Sequence, residues 1–176
     1  MAKYTLTPDE ISALTIQIPG LTKMSGLSFD GAALTVPDSL ADQVAAIIAT
    51  PNWQDIGAKK ILINYAANKA DAIKNGGFSF GLGGGVTIFC ATDTTTVLEL
   101  KIANDYSITN PTATQAFPFP SGVINLTATN IQTIYAAVIA FRGSVMTMLS
   151  SMVTGVDSGA ITTTEQIDAA DWPQNP

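Results

Sequence analysis

Histidine is absent from this sequence, and cysteine occurs once, as Cys90. Without histidine the chain cannot build a Ser-His-Asp triad, a Cys-His pair or a histidine-ligated metal site. One cysteine excludes an intrachain disulfide and is too few for a structural zinc site, which needs cysteine or histidine ligands. Because Cys90 ends the apolar run Val86–Cys90, we expect a buried, inert thiol.

Charged residues are also scarce: Asp, Glu, Lys and Arg make up 12% of the 176 residues, about half the usual share. The net charge is −6, and the eight basic residues are scattered apart from the Lys59–Lys60 pair. No basic stripe can neutralise phosphates, so we expect no nucleic-acid partner. An uncharged surface rich in Thr, Ser, Asn and Gln suits a protein that partners cover, a secreted or particle-borne protein, or a plain polar monomer.

A long uninterrupted hydrophobic run is missing too. The most apolar stretch, residues 131–153, contains Arg142 and Gly143, and its unbroken apolar run covers only residues 134–141. A bilayer requires roughly 20 such residues. The N-terminus shows no signal-peptide pattern of charged and apolar regions. We therefore expect residues 131–153 to form a buried or oligomer-facing helix and not a membrane span.

The remaining candidates for chemistry are pairs of carboxylates and one glycine run. Each pair is better explained as a helix cap, a helix start or a solvated helix face than as a catalytic dyad. The glycine run 81–85 is followed by a strand-like segment and not by Gly-Lys-Ser/Thr, which predicts a hairpin loop and not a phosphate-binding loop. The sequence thus predicts no enzyme, with no catalytic, cofactor-binding or metal-binding residues. The carboxylate pairs are Asp9 with Glu10, Asp93 with Glu99, and Asp168 with Asp171.

Residues 1–52 are expected to form a small N-terminal region with β-structure and short helices. Residues 7–10 have the composition of a capping box, which predicts a short helix. The alternation in residues 14–18 predicts a strand, and residues 27–36 predict a hairpin with its turn at Asp30–Gly31. A second helix is expected over residues 40–49.

Residues 53–176 are expected to form the main α+β domain. The pattern predicts a helix over residues 53–74, then a hairpin of residues 78–80 with 86–90. Asp93, or a neighbouring threonine, is expected to cap a helix over residues 95–106. Residues 110–120 are expected to be a loop and residues 123–126 a short edge strand or extended entry. Thr127 is expected to cap a long helix over residues 128–153. A capping box in residues 162–166 predicts a short terminal helix. The apolar face of the helix after Asp93 comprises Val97, Leu98, Ile102 and Tyr106.

The long helix has apolar residues spaced alternately by three and four, as in a heptad seam. This spacing is typical both of a central core helix and of a self-associating helix. Aromatic residues in loops and at helix ends either anchor a partner or cover the edge of the core. The candidate interface residues are Trp53, Phe117, Phe119, Ile131, Val138, Val145, Leu149, Met152 and Trp172.

The order of motifs from residue 60 to residue 173 resembles a known family. The matching features are an alanine-rich helix, a Gly-Phe-Ser-Phe strand, a threonine-rich helix start and a Leu-Thr step into the long helix, followed by a threonine-rich capping box and a Trp-Pro ending. This order is similar to that of a domain family of unknown function, common in tailed-phage and prophage proteins and often encoded in the tail-fibre region. The ending also resembles that of tail-fibre assembly chaperones. The segments are 63–69, 77–80, 91–96, 126–127, 159–168 and 172–173.

The resemblance implies a tailed-phage context. Together with the low charge, the abundant Thr, Ser and Gly and the seam-like long helix, it predicts a non-enzymatic structural protein of the virion, placed at the tail tip, fibre or baseplate. We expect other phage structural proteins as partners, a homo-oligomer, no cofactor, and a location in the virion after assembly in the host cytoplasm. Three alternatives stay open: a tail-fibre assembly chaperone, a capsid decoration protein, and a sugar-binding or hydrolytic tip.

Overall fold

The computed structural model describes residues 1–18, 20–23, 26–30, 33–83, 86–120 and 122–173. Its helices are α1 Pro8–Gln17, α2 Asp38–Ile48, α3 Trp53–Asn75, α4 Thr94–Thr109, α5 Ala128–Ser158 and α6 Thr164–Asp168. Its strands are β1 Ala2–Thr5, β2 Ser28–Phe29, β3 Ala33–Val36, β4 Phe78–Gly83, β5 Val86–Cys90, β6 Thr114–Phe119 and β7 Gly122–Thr127. Helices combined with small antiparallel sheets confirm the predicted α+β class.

The described chain divides into two compact units. Unit 1 comprises residues 1–65 and 155–166, and unit 2 comprises residues 66–154 and 167–176, of which 174–176 lie outside the described residues. The division falls within α3 and within α5. The sequence places its boundary at residue 52, whereas unit 1 extends to Tyr65 and includes a segment near the C-terminus.

Unit 1 contains a three-stranded antiparallel sheet in the order β1-β3-β2. Ala2 pairs with Val36 and Tyr4 with Leu34, and the Tyr4 hydroxyl donates to the carbonyl oxygen of Ala41 in α2 at 2.8 Å. The hairpin of β2 and β3 was predicted, whereas β1 was not. In the turn, the carboxylate of Asp30 accepts from the N–H of Ala33 at 2.8 Å; Gly31 lies outside the described residues. The core of this unit comprises Leu6, Ala13, Leu14, Ile18, Leu21, Leu34, Val36, Leu40, Val44 and Trp53.

The strand predicted over residues 14–18 is wrong, because α1 continues through Gln17. The helix begins with the predicted capping box, in which Thr7 and Glu10 bond each other's backbone N–H. Leu14 and Ile18 are buried at 0% and 2% exposure, and they are spaced for one face of a helix. The alternation of these residues with polar ones is typical of a strand. The capping box upstream and the i,i+4 spacing of Leu14 and Ile18 fit a helix equally well.

Unit 2 contains two hairpins, β4–β5 and β6–β7. The first was predicted, although its glycine run contributes Gly81–Gly83 to β4, and Gly84 and Gly85 lie outside the described residues. The second corrects the loop predicted over residues 110–120. Phe117 pairs with Ile124 and Pro118 with Val123. Pro118 misled the prediction, since proline has no N–H for a sheet, but an outer position in a two-stranded ribbon tolerates it.

α5 begins at the predicted residue and runs five residues beyond the predicted end. Thr127 caps it: the Thr127 hydroxyl accepts from the N–H of Asn130 at 3.2 Å, and the Asn130 side chain accepts from the Thr127 N–H at 3.3 Å. The predicted capping box of α6 is also present, with Thr163 accepting from the N–H of Gln166 at 3.4 Å and the Gln166 side chain accepting from the Thr163 N–H at 3.2 Å. Local cap chemistry thus fixed the start of both helices.

Candidate functional site

The nine candidate interface residues contribute mainly to the packing of their own chain. Eight of them are at most 8% exposed, and only Leu149 is half-buried. A side chain that is already buried offers little area to a partner while the fold is kept. This placement agrees with two of the predicted possibilities, that the long helix belongs to the core and that the aromatic residues cover the core edge. A role for any of the nine residues in an interface stays a prediction. The eight buried residues are Trp53, Phe117, Phe119, Ile131, Val138, Val145, Met152 and Trp172.

The apolar spacing of α5 gives one buried face within unit 2. Ile131, Ile134, Val138 and Val145 are each 0% exposed. By length and composition alone α5 could cross a membrane, since its most apolar 18-residue window has a mean hydropathy of 1.5. Mostly buried core helices of soluble proteins meet the same criteria, whereas 22% of this window is buried within the chain. The guanidinium of Arg142 donates to the carbonyl oxygen of Thr92, which places a charged group midway along this helix.

α4 is apolar on two opposite faces. Its inward face carries Leu100, Ala103 and Ser107, at 0%, 7% and 0% exposure. The Ser107 hydroxyl donates to the carbonyl oxygen of Asn104 at 2.7 Å and accepts from the Gln132 amide at 3.2 Å, so its burial is compensated. The apolar face predicted for α4 is present, but it faces solvent and not the core of unit 2. Of its four residues, Leu98, Ile102 and Tyr106 are 57%, 63% and 49% exposed, and Val97 is half-buried.

The outward residues of α4 follow one another at intervals of four, so they form a continuous stripe along the helix. We call Leu98, Ile102 and Tyr106 the α4 stripe. Large exposed apolar patches on proteins commonly mark interaction sites. The α4 stripe is therefore the strongest candidate binding surface in unit 2.

A groove adjoins the α4 stripe where α4 meets β6. Its volume is about 460 Å³. Between two of its lining residues, the Gln115 amide donates to the carbonyl oxygen of Ala103 at 3.2 Å, which joins strand to helix. The rings of Phe117 and Phe119 lie 5.1 Å apart, centroid to centroid, and stiffen the strand side. The groove is lined by Glu99, Ile102, Ala103, Tyr106, Gln115, Ala116, Phe117 and Pro118.

Charged side chains border the α4 stripe on both sides. Lys101 and Asp105 form an ion pair at 2.6 Å on one side, and the exposed carboxylate of Glu99 lies on the other. The hydrogen bond and charge of Asp105 raise the pKa of Lys101, and the hydrogen bond from Lys101 lowers the pKa of Asp105. Both groups therefore keep their charge over a wide pH range. The surface combines an apolar centre with fixed charges at its edge, as protein interfaces do.

The cap of α4 positions this surface. The carboxylate of Asp93 accepts from the N–H groups of Thr95 and Thr96 at 2.9 and 3.1 Å and from the Thr96 hydroxyl at 2.7 Å. The bonds from Thr96 are the largest cause of the lowered pKa of Asp93. Asp93 thus serves as the predicted helix cap.

Unit 1 has two neighbouring pockets along α3, of about 370 and 150 Å³. Acidic and apolar side chains both line the larger pocket. Glu10 belongs to the cap of α1 and also accepts from the Gln54 amide at 3.2 Å; hydrogen bonds from Thr7 and Gln54 lower its pKa. The pocket residues are Asp9, Glu10, Ser12, Ala13, Gln54, Asp55, Ala58, Ile61, Leu62 and Thr162.

The third carboxylate pair lies near the C-terminus. Asp168 binds the ammonium group of Lys69 at 2.6 Å. Within the described ranges, no group of three or more His, Cys, Asp or Glu side chains comes close enough to hold a metal ion. Of the three predicted pairs, Glu10 and Asp93 thus bind helix N-termini, and Asp168 binds a lysine.

Cys90 is expected to resist alkylation in the folded protein. The residue is buried, and desolvation together with the nearby charge of Asp93 raises the pKa of its thiol to about 11. The thiolate is the nucleophile, so at neutral pH the thiol is both shielded and protonated. Iodoacetamide labelling followed by mass spectrometry should modify Cys90 only after denaturant is added. Rapid labelling of the native protein would contradict this placement of β5.

The sequence identified the residues of the α4 stripe but not their exposure. The sequence contains a pattern that indicates this exposure. Leu100 and Ala103 form a second apolar face on the same helix, and because a helix cannot direct both faces into one core layer, one face must stay exposed or bind a partner. Comparisons with protein-family models, curated proteins and solved structures give no match. The resemblance to the phage tail-region family therefore depends on the sequence segments quoted above.

Proposed function

We propose that this chain is a non-enzymatic structural protein of a tailed-phage virion, at the tail tip, fibre or baseplate, and that it acts through protein–protein interfaces. The observation that supports an interface role best is the exposed α4 stripe with its groove. The phage setting is supported by the order of motifs over residues 60–173. The low content of charged residues, 12%, also suits a particle component that partners cover.

The proposal includes α5 as a core helix and not as a membrane span. Its support is the fully buried face of Ile131, Ile134, Val138 and Val145. A second support is Arg142, because a charged side chain in the middle of a bilayer is costly and this one bonds the carbonyl oxygen of Thr92 within unit 2.

The test is the composition of purified phage particles. Quantitative mass spectrometry of particles from the genome that encodes this chain should find it at a fixed copy number, and immunogold labelling should place it on the tail. Labelling of the capsid would favour the decoration-protein alternative. Detection only in the infected-cell lysate would contradict a structural role.

A matched pair of variants connects the particle to the α4 stripe. Ile102→Glu should abolish incorporation, because it places a charge in the middle of the apolar surface. Ile108→Glu is the control: Ile108 is also 63% exposed, but it lies about 120° around the helix from Ile102. Equal incorporation of both variants would remove the α4 stripe from the proposal.

The Trp-Pro ending motivates the chaperone alternative. In the structure Trp172 is 3% exposed and its indole N–H donates to the carbonyl oxygen of Ile167 at 2.7 Å. The indole therefore packs within its own unit. Co-expression with the tail fibre separates the two functions, since a chaperone increases the yield of soluble fibre and a structural component does not.

A further inference from the structure

We propose that α4 is a dimerisation helix, which packs antiparallel against α4 of a second copy of this chain around a twofold axis near Ile102 and Ala103. The inference names the partner of the α4 stripe, and it rests on the interface role proposed above. It is carried by the positions of the charges along the helix, which match those of a second, reversed copy.

The apolar part of the pairing follows from the spacing of the α4 stripe. In an isologous contact the same patch is used by both subunits, so residues before the axis meet residues after it. Ile102 lies next to the axis and packs on Ile102 of the second copy. Leu98 precedes the axis and Tyr106 follows it, so each Leu98 packs on the Tyr106 of the other copy. All three side chains are about half or more exposed in the single chain.

The charges on one side of the α4 stripe are self-complementary in this arrangement. Lys101 lies two residues before Ala103, and Asp105 lies two residues after it. A twofold axis between Ile102 and Ala103 therefore brings Lys101 of each copy to within one residue, about 1.5 Å of helix rise, of the level of Asp105 of the other, on the same side of the helix pair. The two intrachain pairs, each at 2.6 Å, become a network of four alternating charges. Charges at the edge of a helix pair set its partner and orientation.

The other side of the α4 stripe is complementary as well. Glu99 lies four residues before Ala103 and Tyr106 three residues after it. The phenol of Tyr106 in one copy thus comes near the carboxylate of Glu99 in the other, and can donate a hydrogen bond to it. A parallel twofold pair would instead place the Lys101 side of one copy beside the Glu99 side of the other, and would separate Lys101 from the Asp105 of the second copy. The Lys101–Asp105 pairs of the two copies combine only in the antiparallel orientation.

The size of the surface predicts a weak dimer. A contact one helix wide, even with the groove beside β6, covers less than the roughly 800 Å² per partner of a standard interface. We expect a dissociation constant in the micromolar range for the isolated protein. Analytical ultracentrifugation over a concentration series measures it. A protein that stays monomeric at every concentration of the series would overturn the proposal.

Charge exchange tests the orientation. Lys101→Glu alone and Asp105→Lys alone each turn both interchain attractions into repulsions, so each variant should dimerise roughly tenfold more weakly. Mixing the two variants should restore dimerisation. In the mixed dimer the introduced glutamate of one copy faces the introduced lysine of the other, and the native Lys101 faces the native Asp105. Each variant also loses its intrachain pair between positions 101 and 105. Mixing cannot restore that pair, so any recovery on mixing reports the interchain contacts alone. Failure of the mixture to dimerise better than either variant alone would overturn the antiparallel pairing.

Cross-linking tests the position of the axis. Ile102→Cys should form a disulfide-linked dimer under mild oxidation, because the axis brings the two introduced thiols together. Ile108→Cys is the matched control with the same exposure, and it should stay uncross-linked; Cys90 is buried and does not interfere. Equal cross-linking at both positions would indicate random collision and contradict the proposal.

The outcomes separate this inference from the proposed function. A monomeric wild type together with particle incorporation that depends on Ile102 would overturn the dimer and leave the structural role in place, with a different protein on the α4 stripe. A dimer with the expected exchange behaviour, but absence of the chain from particles, would support the dimer and overturn the structural role.

Discussion

Replacing Trp172 with alanine is expected to lower the free energy of unfolding by about 3–5 kcal/mol, the range for truncation of a large buried aromatic side chain. The indole is 3% exposed, and its N–H donates to the carbonyl oxygen of Ile167 at 2.7 Å. The ammonium group of Lys69 lies 6.0 Å from the ring centroid, near enough for a cation–π contribution. Denaturant unfolding followed by circular dichroism measures the change.

Two milder variants separate the contributions of Trp172. Trp172→Phe keeps an aromatic ring but removes the donor to the Ile167 carbonyl, and should cost roughly 1–3 kcal/mol. Lys69→Ala removes the cation and its partly exposed ion pair with Asp168, and should cost about 1 kcal/mol or less. If Trp172→Ala were as stable as the wild type, the segment after α6 would not cover the core in solution.

The sequence predicted best those elements that local chemistry determines. Thr7 with Glu10, Asp93, Thr127 and Thr163 were each assigned as helix starts, and each has the expected cap bonds. A cap needs only residues within one turn of each other, so a short window of sequence contains all the information. The hairpin β4–β5 was predicted for the same reason, since its strands are adjacent in the chain.

Two strands were missed for different reasons. β6 lies next to its partner β7 in the chain, but Pro111, Pro118 and Pro120 give its segment the composition of a loop. β1 has only four residues, and what makes it a strand is β3, which follows much later in the chain. Tertiary pairing overrides local propensity there. The exposure of the α4 stripe could not be predicted for a related reason: two apolar faces compete for one core, and only the packing of unit 2 decides which face is covered.

Gly57→Ala is expected to destabilise the protein by roughly 1–3 kcal/mol, although alanine is the better helix former. Gly57 lies in α3 against α1 within unit 1. A Cβ at this position would lie 2.2 Å from the Cβ of Ala13, 2.6 Å from its Cα and 2.8 Å from its carbonyl oxygen. Two of these are backbone atoms, so no side-chain rotation relieves the contact and the two helices must move apart.

Gly143→Ala is the matched control, with the opposite sign. Gly143 lies within α5, is exposed, and has nothing within 4 Å of an added Cβ, so the substitution should stabilise the protein by up to about 1 kcal/mol. Both variants add one methyl group to a helical glycine, so the difference between their unfolding free energies measures the contact with Ala13. Equal stabilisation by both would show that α1 and α3 do not approach this closely, and the pocket that begins beside Ala13 would then have a different shape.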